Sequence, residues 1–536
     1  MTSARRFNVL LALVVLVSLL LSACAPPAAP AQPAAEPAAA QPAGEEAAAA
    51  PSKYGGILRH AFFAPTNLDP AFLSTVADDE ITRQWAEFLV YIDEDNRPDP
   101  ARSLAESWEA SADGLTWTFK MRQGVHFHDG KTLTSNDAKF TFDRLRDPEV
   151  GAATVELYKN ITDVQAPDDA TLVITLAKPN PDFLLDLGDY HAVIVDSTTE
   201  DFKTQFNGTG PFIIDQYLPE DRLTFKRNPN YWMKDADGNQ LPYLDGMEFI
   251  FMGDPSAQVE ALRGGQIDYL IYLPSEFVKT LEADPNVEVY QKPSNTTFIL
   301  RMRSDRGPAA DVRVRQAFKA ATDRKAILDA AFEGLGVTGR DTPIGPGYAE
   351  LYLDAPEPVR DVEKAKQLLQ EAGYGDGLTI SLTTQQLSPI PAIATIWKEQ
   401  LAEAGVTVEI QSVPSDVYYG ADNLWLEADF AITDWGSRPY PQPYLDLAYT
   451  CAAPWNESHW CDEEMDKLAA QAANEMDPAV RAQLYKDIQQ IFIDRGSIIV
   501  PFFANNLWGA RSNIKGVVPT SALATALDLR RVYIAP

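Results

Sequence analysis

The first 52 residues have the composition of a targeting segment and a linker, so the fold must be built from residues 53–536. Phe7 to Leu21 is almost wholly apolar, comes after Arg5 and Arg6, and leads through small residues to Cys24. This is the layout of a bacterial lipoprotein signal. The apolar run is short for a membrane-spanning helix, which needs about 20 residues. The sequence predicts a signal peptide at 1–23 and a lipid on Cys24; an uncleaved signal anchor is the alternative.

Residues 24–52 form an Ala- and Pro-rich stretch without an aromatic residue. Such a segment cannot bury a core and is expected to act as a flexible tether. The folded part therefore begins near Lys53. A lipid on Cys24 would place it outside the cytoplasm, anchored to the outer face of the cytoplasmic membrane.

Charge narrows the range of partners. The chain has 76 acidic and 45 basic residues and a net charge of −31. Nucleic-acid binding needs clustered Lys and Arg against phosphates, and the sequence shows no such cluster. The acidity is typical of a solvent-facing surface, and no nucleic-acid partner is expected.

The remaining cysteines and the histidines give no clear metal site. Cys451 and Cys461 lie ten residues apart with only His459 between them, which is too few ligands for zinc. In an oxidising compartment they are expected to form a local disulfide; two buried free thiols are the alternative. His126 and His128 alternate onto one face, but no third ligand is near. We expect neither a metal nor a cofactor.

Hydrophobic patterning indicates a mixed α/β chain. Leu115 to Met121 alternates apolar and polar residues, which predicts a half-buried strand, and Leu172 to Leu176 predicts another. Asp113-Gly114 and Asp129-Gly130 have turn chemistry. This part of the chain therefore favours hairpins.

The later part favours a parallel sheet. A helix at 361–373, a strand at 378–384, a helix at 391–404 and a strand at 406–413 predict a right-handed βαβ unit. Further elements are predicted at Asp429–Thr433 (strand), Asp462–Asn474 and Pro478–Arg495 (helices), and Ser497–Phe503 (strand).

Several segments, in this order along the chain, match the pattern of one family. They are Gly55-Gly56 with Leu68-Asp69-Pro70, Pro100–Trp108, Asp113–Phe119, Arg122–Gly130 with Asp137, Gly208–Phe212, Arg227–Trp232, Gly265–Asp268 and Asp311–Phe318. The chain resembles the substrate-binding proteins of ABC importers, in the dipeptide- and oligopeptide-binding subgroup (family 5 solute-binding proteins).

The resemblance implies a two-lobed periplasmic-binding-protein fold of α/β class, with a hinge and an extra inserted subdomain. Segments near Thr297 and Phe502 would cross between the lobes. The expected boundaries are 53–90, 206–295 and 502–536 for the first lobe, 91–205 for the subdomain inserted into it, and 296–501 for the second lobe.

The predicted strand ending at Thr433 delivers Asp434, Trp435, Gly436 and Arg438 to a sheet edge, where open α/β sheets bind ligands. A tryptophan packs on a ligand face, glycine admits close backbone approach, and arginine holds a carboxylate. In peptide-binding members an aspartate three residues after the tryptophan holds the α-amino group; here that position is Arg438.

The reversed charge leaves two hypotheses. Arg438 binds an anionic group of an opine, a sugar acid or a phosphonate, or it pairs structurally with Asp434 or Asp446 while another acid captures an amine. A further alternative is a sugar that the site holds by hydrogen bonds and aromatic stacking. Weaker candidates for ligand contact are Tyr418, Tyr419, Phe503, Asn505, Trp455, Asn456, Asn67 and Thr75.

Together these observations predict a monomeric, lipid-anchored protein that captures a small polar solute between its lobes. By resemblance its partners are an ABC permease and the ATPase that drives it. No Gly-x-Ser-x-Gly, P-loop or His-Glu-x-x-His motif occurs, so an enzyme is not expected. The alternatives are a receptor that presents ligand to a sensor protein, and a secreted hydrolase with paired carboxylates.

Overall fold

The computed structural model describes residues 53–152, 154–420, 423–522 and 528–536. Cys24, the predicted signal peptide and the predicted tether lie outside these ranges. Within them, no helix combines the length and apolar character needed to cross a membrane.

Most strands belong to one mixed sheet of twelve, and four others form a separate antiparallel sheet. The strands are β1 (Ile57–Phe62), β2 (Ala105–Ala110), β3 (Thr116–Met121), β4 (Ile161–Asp168), β5 (Thr171–Leu176), β6 (Phe212–Leu218), β7 (Arg222–Arg227), β8 (Gly246–Phe251), β9 (Tyr269–Leu270), β10 (Val287–Met302), β11 (Gly336–Thr338), β12 (Leu378–Gln385), β13 (Val406–Val413), β14 (Phe430–Trp435), β15 (Ile498–Ile499), β16 (Phe502–Arg511), β17 (Ile514–Lys515) and β18 (Tyr533–Ile534).

Aspartates cap many of the helices. Asp361, Asp462 and Asp477, for example, each accept a hydrogen bond from a backbone N–H of the first helical turn, which satisfies a donor that the helix itself leaves free. The helices are α1 (Val76–Trp85), α2 (Ser135–Arg146), α3 (Phe183–Asp186), α4 (Pro255–Arg263), α5 (Val278–Glu282), α6 (Val312–Ala321), α7 (Arg324–Ala331), α8 (Val362–Glu371), α9 (Ile390–Glu403), α10 (Ser415–Tyr418), α11 (Leu424–Glu427), α12 (Gln442–Tyr444), α13 (Glu463–Ala472) and α14 (Pro478–Arg495).

The long antiparallel strands β10 and β16 run through the middle of the large sheet and join two separately packed regions. Val287 and Leu507 belong to a core on one side. At the other ends of the same strands, Phe298 and Phe502 belong to a different core. The region of β1 and β6–β9 is called lobe I, and the region of β12–β14 is called lobe II. The two strands thus form a double crossing between the lobes.

Lobe II contains the predicted βαβ unit. Strands β12 and β13 pair in parallel over their full length, with α9 between them in the chain. Helix α9 packs Trp397 and Leu401 against the sheet. The prediction of a parallel α/β region is confirmed, and the observed bounds lie within two residues of the predicted ones.

One predicted strand, Ser497–Phe503, is wrong as a single element. The chain forms the short strand β15, breaks at Val500 and Pro501, and resumes as the ten-residue strand β16. Proline has no backbone N–H to donate to the ladder, so the pairing is interrupted there. The predicted strand also ends too early, because β16 continues into the core of lobe I.

A four-stranded sheet, in the order β2-β3-β5-β4, forms its own core with α2. The tight turn between β2 and β3 has Gly114 at a φ of 70°, as its Asp-Gly sequence predicted. The chain segments that enter and leave this region lie next to each other. Phe88 and Val193 form an antiparallel bridge, and the Ile194 N–H donates to the Glu87 carbonyl at 2.7 Å. This region is called the inserted subdomain.

Candidate functional site

The carboxyl ends of β12 and β14 lie side by side in lobe II because the two strands are parallel neighbours. Gln385 ends the first strand, and Asp434 and Trp435 end the second. Ligand sites in open α/β sheets form at this kind of edge. The structure therefore brings a polar and an aromatic group together where the sequence places the site.

Asp434 is held by two neighbours. The buried amide of Gln385 donates to its Oδ1 at 2.5 Å, and the Tyr419 hydroxyl donates to the same oxygen at 2.9 Å. Ser415 in turn donates to Gln385 Oε1 at 2.9 Å, which fixes the amide orientation. The carboxylate is half-buried. Burial and the neighbouring Asp434 carboxylate raise the pKa of Tyr419, so this hydroxyl keeps its proton and acts as a donor.

Trp435 is buried, and a hydrogen bond to Glu457 orients its ring. Its Nε1 donates to Glu457 Oε1 at 2.9 Å, while Thr433 donates to the other oxygen at 2.5 Å. Arg301 lies 3.0 Å from Glu457 as a buried counter-ion. Burial raises the pKa of Glu457, and the Arg301 charge opposes that rise. The tryptophan therefore rests on a buried ion pair.

The backbone of Arg438 is held by hydrogen bonds, whereas its guanidinium has no counter-ion among the described residues. The Tyr348 hydroxyl donates to the Arg438 carbonyl at 2.9 Å, and the Arg438 N–H donates to the Tyr444 hydroxyl at 3.0 Å. The guanidinium carbon lies 6.0 Å from the centroid of the Trp435 ring and 5.9 Å from that of Tyr444. Among the described residues no carboxylate lies within ion-pair distance of Arg438, and its buried Nε has no hydrogen-bond partner.

The acids that the sequence offered as structural partners of Arg438 are bonded elsewhere. Asp434 accepts hydrogen bonds from Gln385 and Tyr419, and Asp446 accepts one from Gln442 at 2.8 Å. Neither forms an ion pair in the part of the chain that the structure describes.

The charges of Asp434 and Arg438 influence two tyrosines outside lobe II. Tyr272 of lobe I is 43% exposed, and burial followed by the charges of Glu80 and Asp434 raises its pKa to about 12. Tyr190 of the inserted subdomain has its pKa raised to about 12 by burial and by Asp189, whereas Arg438 lowers it. Each tyrosine therefore responds to the charge of one residue of lobe II.

The inserted subdomain and lobe II are in direct contact. Arg481 of α14 makes a bidentate ion pair with Asp182, one arm of which is 2.9 Å. The Tyr440 hydroxyl donates to Asp186 Oδ1. Burial is the largest cause of the rise in the pKa of Asp186 to about 7. These partners are 254 to 299 residues apart in sequence, so the contact holds distant segments together.

Three of the predicted contact residues have their side chains engaged internally. Tyr418 is fully buried, with its hydroxyl 2.9 Å from Thr433 Oγ1. Phe503 is buried in the core of lobe II. Asn456 donates to the Trp460 carbonyl at 2.7 Å and organises its own loop.

The other predicted positions are spread more widely. Trp455 is 40% exposed and stands 6.2 Å, centroid to centroid, from the Trp435 ring. Gly436 is exposed, and an added Cβ there would meet no atom within 4 Å. The remaining side chains make other hydrogen bonds: Asn505 donates to Gln291, Asn67 accepts from the Asp69 N–H, and Thr75 accepts from the Asp78 N–H as the cap of α1.

Cys451 and Cys461 are joined by a disulfide, with their Cα atoms 4.4 Å apart. The bond closes the loop that carries Trp455, Asn456 and Glu457. The loop thereby presents one aromatic ring to the surface and one carboxylate to the interior.

Sequence reasoning did not find Gln385, Glu457, Tyr190 or Tyr272. Gln385 could have been found, because it directly follows the strand predicted at 378–384, which lies next to the strand that delivers Asp434. Glu457 lies in the cysteine-bounded loop, where pattern alone does not separate a buried acid from an exposed one. The two tyrosines belong to regions that only the tertiary fold brings to the site.

Comparison with known proteins identifies the family. The model of the bacterial extracellular solute-binding proteins, family 5 Middle, matches residues 99–456. The chain belongs to this family. It is thus an extracellular solute-binding protein of the kind that serves ABC importers.

Individual relatives are distant but cover most of the chain. The glutathione-binding protein GsiB of Escherichia coli (strain K12) is 27% identical over 479 residues, which are 84% of this chain and 89% of GsiB. The structure of AgaA from Agrobacterium tumefaciens R10 with agropinic acid matches with a TM-score of 0.73 at 24% identity, over 90% of this chain and 99% of AgaA. The structure of DppA from Helicobacter pylori with the peptide STSA matches with a TM-score of 0.73 at 23% identity, over 90% of this chain and 99% of DppA. The two-lobed α/β fold is confirmed by these matches.

Proposed function

We propose that this solute-binding protein is lipid-anchored through Cys24 and captures a small polar solute that carries an anionic group, which Arg438 binds in the cleft. The captured solute is delivered to an ABC permease, and an ATPase elsewhere drives its release inward. The protein acts as a monomer, without a cofactor and without catalysis.

One observation carries the ligand assignment: the half-buried guanidinium of Arg438 has no acidic partner among the described residues. A buried or partly buried charge without a counter-ion is costly, so such a group is retained where a ligand completes it. A guanidinium presents two parallel N–H donors to a carboxylate, which gives direction as well as charge.

The ligands named for two relatives support an acidic solute. GsiB is named as glutathione-binding, and AgaA was solved with agropinic acid. Both compounds carry carboxyl groups. DppA of Helicobacter pylori was solved with a peptide, which also ends in a carboxylate. Anion recognition by Arg438 is compatible with all three chemical classes.

The separate cores support the lobe boundaries that we propose, with crossings near Thr297 and Phe502. The first lobe comprises 53–90, 206–295 and 502–536, the inserted subdomain 91–205, and the second lobe 296–501. Closure is a hinge motion about β10 and β16, and a ligand stabilises the closed state when it contacts both lobes.

Capture is tested with the full chain purified in detergent and incubated with the low-mass fraction of a bacterial extract. Native mass spectrometry should show one bound solute on the wild-type protein. Arg438→Gln should lower the captured amount at least about tenfold, because a charge-assisted hydrogen bond is lost. The matched control is Arg97→Gln, which removes an exposed arginine of the inserted subdomain. Absence of any bound solute on the wild type contradicts the proposed function.

Anchoring is tested separately by cell fractionation. Cys24→Ser should release the protein from the membrane fraction, whereas Cys451→Ser with Cys461→Ser should leave it there. Membrane attachment that survives Cys24→Ser contradicts the lipid anchor.

A further inference from the structure

The two lobes are linked in two different ways. The crossing strands β10 and β16 link them covalently. A second link is the contact between the inserted subdomain and lobe II, in which Arg481 pairs with Asp182 and Tyr440 donates to Asp186. These four residues are called the latch. Whether the latch restrains the lobes depends on which lobe carries the subdomain when they move.

The inserted subdomain is fixed to lobe I. Arg144 of α2 makes a bidentate ion pair with Asp69, through hydrogen bonds of 2.8 and 2.7 Å. Asp69 follows Leu68, which packs in a core formed by residues of β1, β6, β7 and β8. A hydrogen bond of 3.0 Å joins His128 Nε2 to the carbonyl of Gly210, two residues before β6. A rotation about the crossing strands therefore moves the subdomain together with lobe I.

The arginine of the latch is positioned by lobe II itself. Arg481 Nε donates to the Ala472 carbonyl at 3.1 Å, and one of its amino groups donates to the Tyr485 hydroxyl at 3.1 Å. Tyr485 lies in the core of lobe II, and its hydroxyl donates to Gln442 at 3.0 Å. Within the described ranges, Asp182 is the one carboxylate at ion-pair distance from Arg481. Lobe II thus presents a fixed guanidinium to the subdomain.

The latch is buried in the contact. The side chains of Arg481 and Asp182 are 11% and 6% exposed. The subdomain also packs on lobe II at the turn between β2 and β3, where a Cβ added at Gly114 would lie 3.4 Å from Met476 Cε. Neither charged partner belongs to a crossing strand, so the pair breaks when the lobes rotate apart. Both charges then become hydrated.

We infer that the latch holds the two lobes together in the absence of a solute, so that a solute enters and leaves only when the latch opens. A ligand stabilises a closed state by contacting both lobes, whereas the latch stabilises the same state with side chains alone. Its bidentate ion pair is directional, so the lobes close again in one register. The inference rests on the two-lobed fold and does not depend on Arg438 or on the chemistry of the solute.

The latch is tested by the distance between the lobes in solute-free protein. Spin labels are attached at Gln165→Cys in the subdomain and Glu399→Cys in lobe II, both exposed positions. The full chain carries Cys24→Ser, so that the disulfide leaves no other free thiol. Dialysis in urea and refolding remove bound small molecules, and native mass spectrometry verifies the empty protein.

Pulsed electron–electron double resonance is then recorded at about pH 6, below the pKa of Asp186 of about 7. The main distance between the labels should be the one that separates these two positions in the structure. A main distance that is longer, in protein without solute, overturns the inference. This result needs no variant of the latch, so it is independent of how well such variants fold.

Variants of the ion pair separate a latch from a passive contact. Arg481→Gln and Asp182→Asn each leave one charge buried and unpaired in the closed state but hydrated in the open state. Each should therefore lower the ratio of closed to open protein at least about tenfold. The double variant removes both charges and should close more than either single variant. Arg97→Gln, the control, should match wild type, and unchanged distances in both single variants overturn the inference.

The rate of solute release gives a second readout. The full chain is loaded from the low-mass bacterial extract, diluted, and followed over time by native mass spectrometry. Release should be at least about tenfold faster from Arg481→Gln than from wild type, because opening no longer breaks the ion pair. An unchanged release rate in a variant that the labels show to be open overturns the control of solute exit. Capture of nothing by wild type contradicts the proposed function, and the solute-free distances then decide on the latch alone.

Discussion

Two arginines of lobe II, Arg301 in its interior and Arg438 near its sheet edge, differ in how their charges are compensated. Arg301 is fully buried and compensated from within: it pairs with Glu457 at 3.0 Å and donates to the carbonyls of Ala428 and Trp425, both at 2.6 Å. Arg438, only a few ångströms from the same Trp435 ring, has a clamped backbone and an unpaired side chain.

The difference is between a charge that the fold compensates and one that has no counter-ion among the described residues. Beneath the wall, every described partner of Arg301 stabilises the folded chain, because a buried charge must be compensated internally. Under the proposed function, the bound solute supplies the compensation of Arg438. The same substitution at the two arginines should therefore affect different properties.

The largest effect on stability is expected at Arg301. Arg301→Gln leaves the Glu457 carboxylate buried without its counter-ion, which costs about 3–5 kcal/mol. Urea unfolding followed by circular dichroism measures the loss, with Arg97→Gln as the control. An unfolding midpoint equal to that of the wild type would mean that the buried pair is not needed to hold the lobe.

The disulfide should come next. Replacing both Cys451 and Cys461 by serine frees the loop that carries Glu457, and closing a loop of this size typically stabilises by about 2–4 kcal/mol. Reduction of the wild type should give the same unfolding midpoint as the double variant, and a reducing agent should not shift the variant further. If reduction leaves the wild type unchanged, the loop is held by Glu457 and Asn456 alone.

The contact between the inserted subdomain and lobe II should depend on pH. The pKa of Asp186 is about 7 in the contact and has the ordinary value of 3.8 when the carboxyl is exposed. The contact therefore binds a proton that the separated state releases. Its stability is fully present below about pH 4 and is lost as the pH rises through about 7.

Small-angle scattering should accordingly show a smaller radius of gyration at about pH 5 than at about pH 8. Asp186→Asn, which is neutral at every pH, should remove most of this dependence. Asp182 and Asp189 also face Asp186, so a dependence that persists in the variant would assign the titration to one of them.

The smallest effect on stability is expected at Arg438. Arg438→Gln removes no internal ion pair, so unfolding should change by less than about 0.5 kcal/mol, while capture falls. The pair of results, a stable variant without capture and an unstable Arg301→Gln, is the direct check of the comparison. A large loss of stability in Arg438→Gln would show that the guanidinium has a structural role after all.

The sequence predicted local structure better than long-range contacts. The helix at 478–495 and the strand at 406–413 were predicted at their observed bounds, because Asp477 caps the first and glycine and proline flank the second. The break at Pro501 was missed because the apolar run continues through it. Apolar continuity does not reveal that two strands share one run.

The residues of the candidate site were accessible to sequence reasoning only in part, for a similar reason. Arg438, Asp434 and Trp435 were proposed as candidates because they follow a recognisable strand end. Tyr272, Tyr190 and the pair Asp182–Arg481 come from segments far apart in the chain, so no local pattern joins them. Burial separated the candidates further: Tyr418 and Tyr419 are adjacent in sequence, yet the first is fully buried and the second is exposed.

The side-by-side ends of the inserted subdomain have a consequence for engineering. Because Phe88 and Val193 are already paired, a short turn can connect them and delete the segment between them without stretching the chain. The shortened protein would keep both lobes and both crossing strands but lose Asp182, Asp186 and Tyr190. Conversely, the same two points are where the corresponding segment of another relative could be transplanted, which makes the shape of the cleft mouth exchangeable independently of its charged wall.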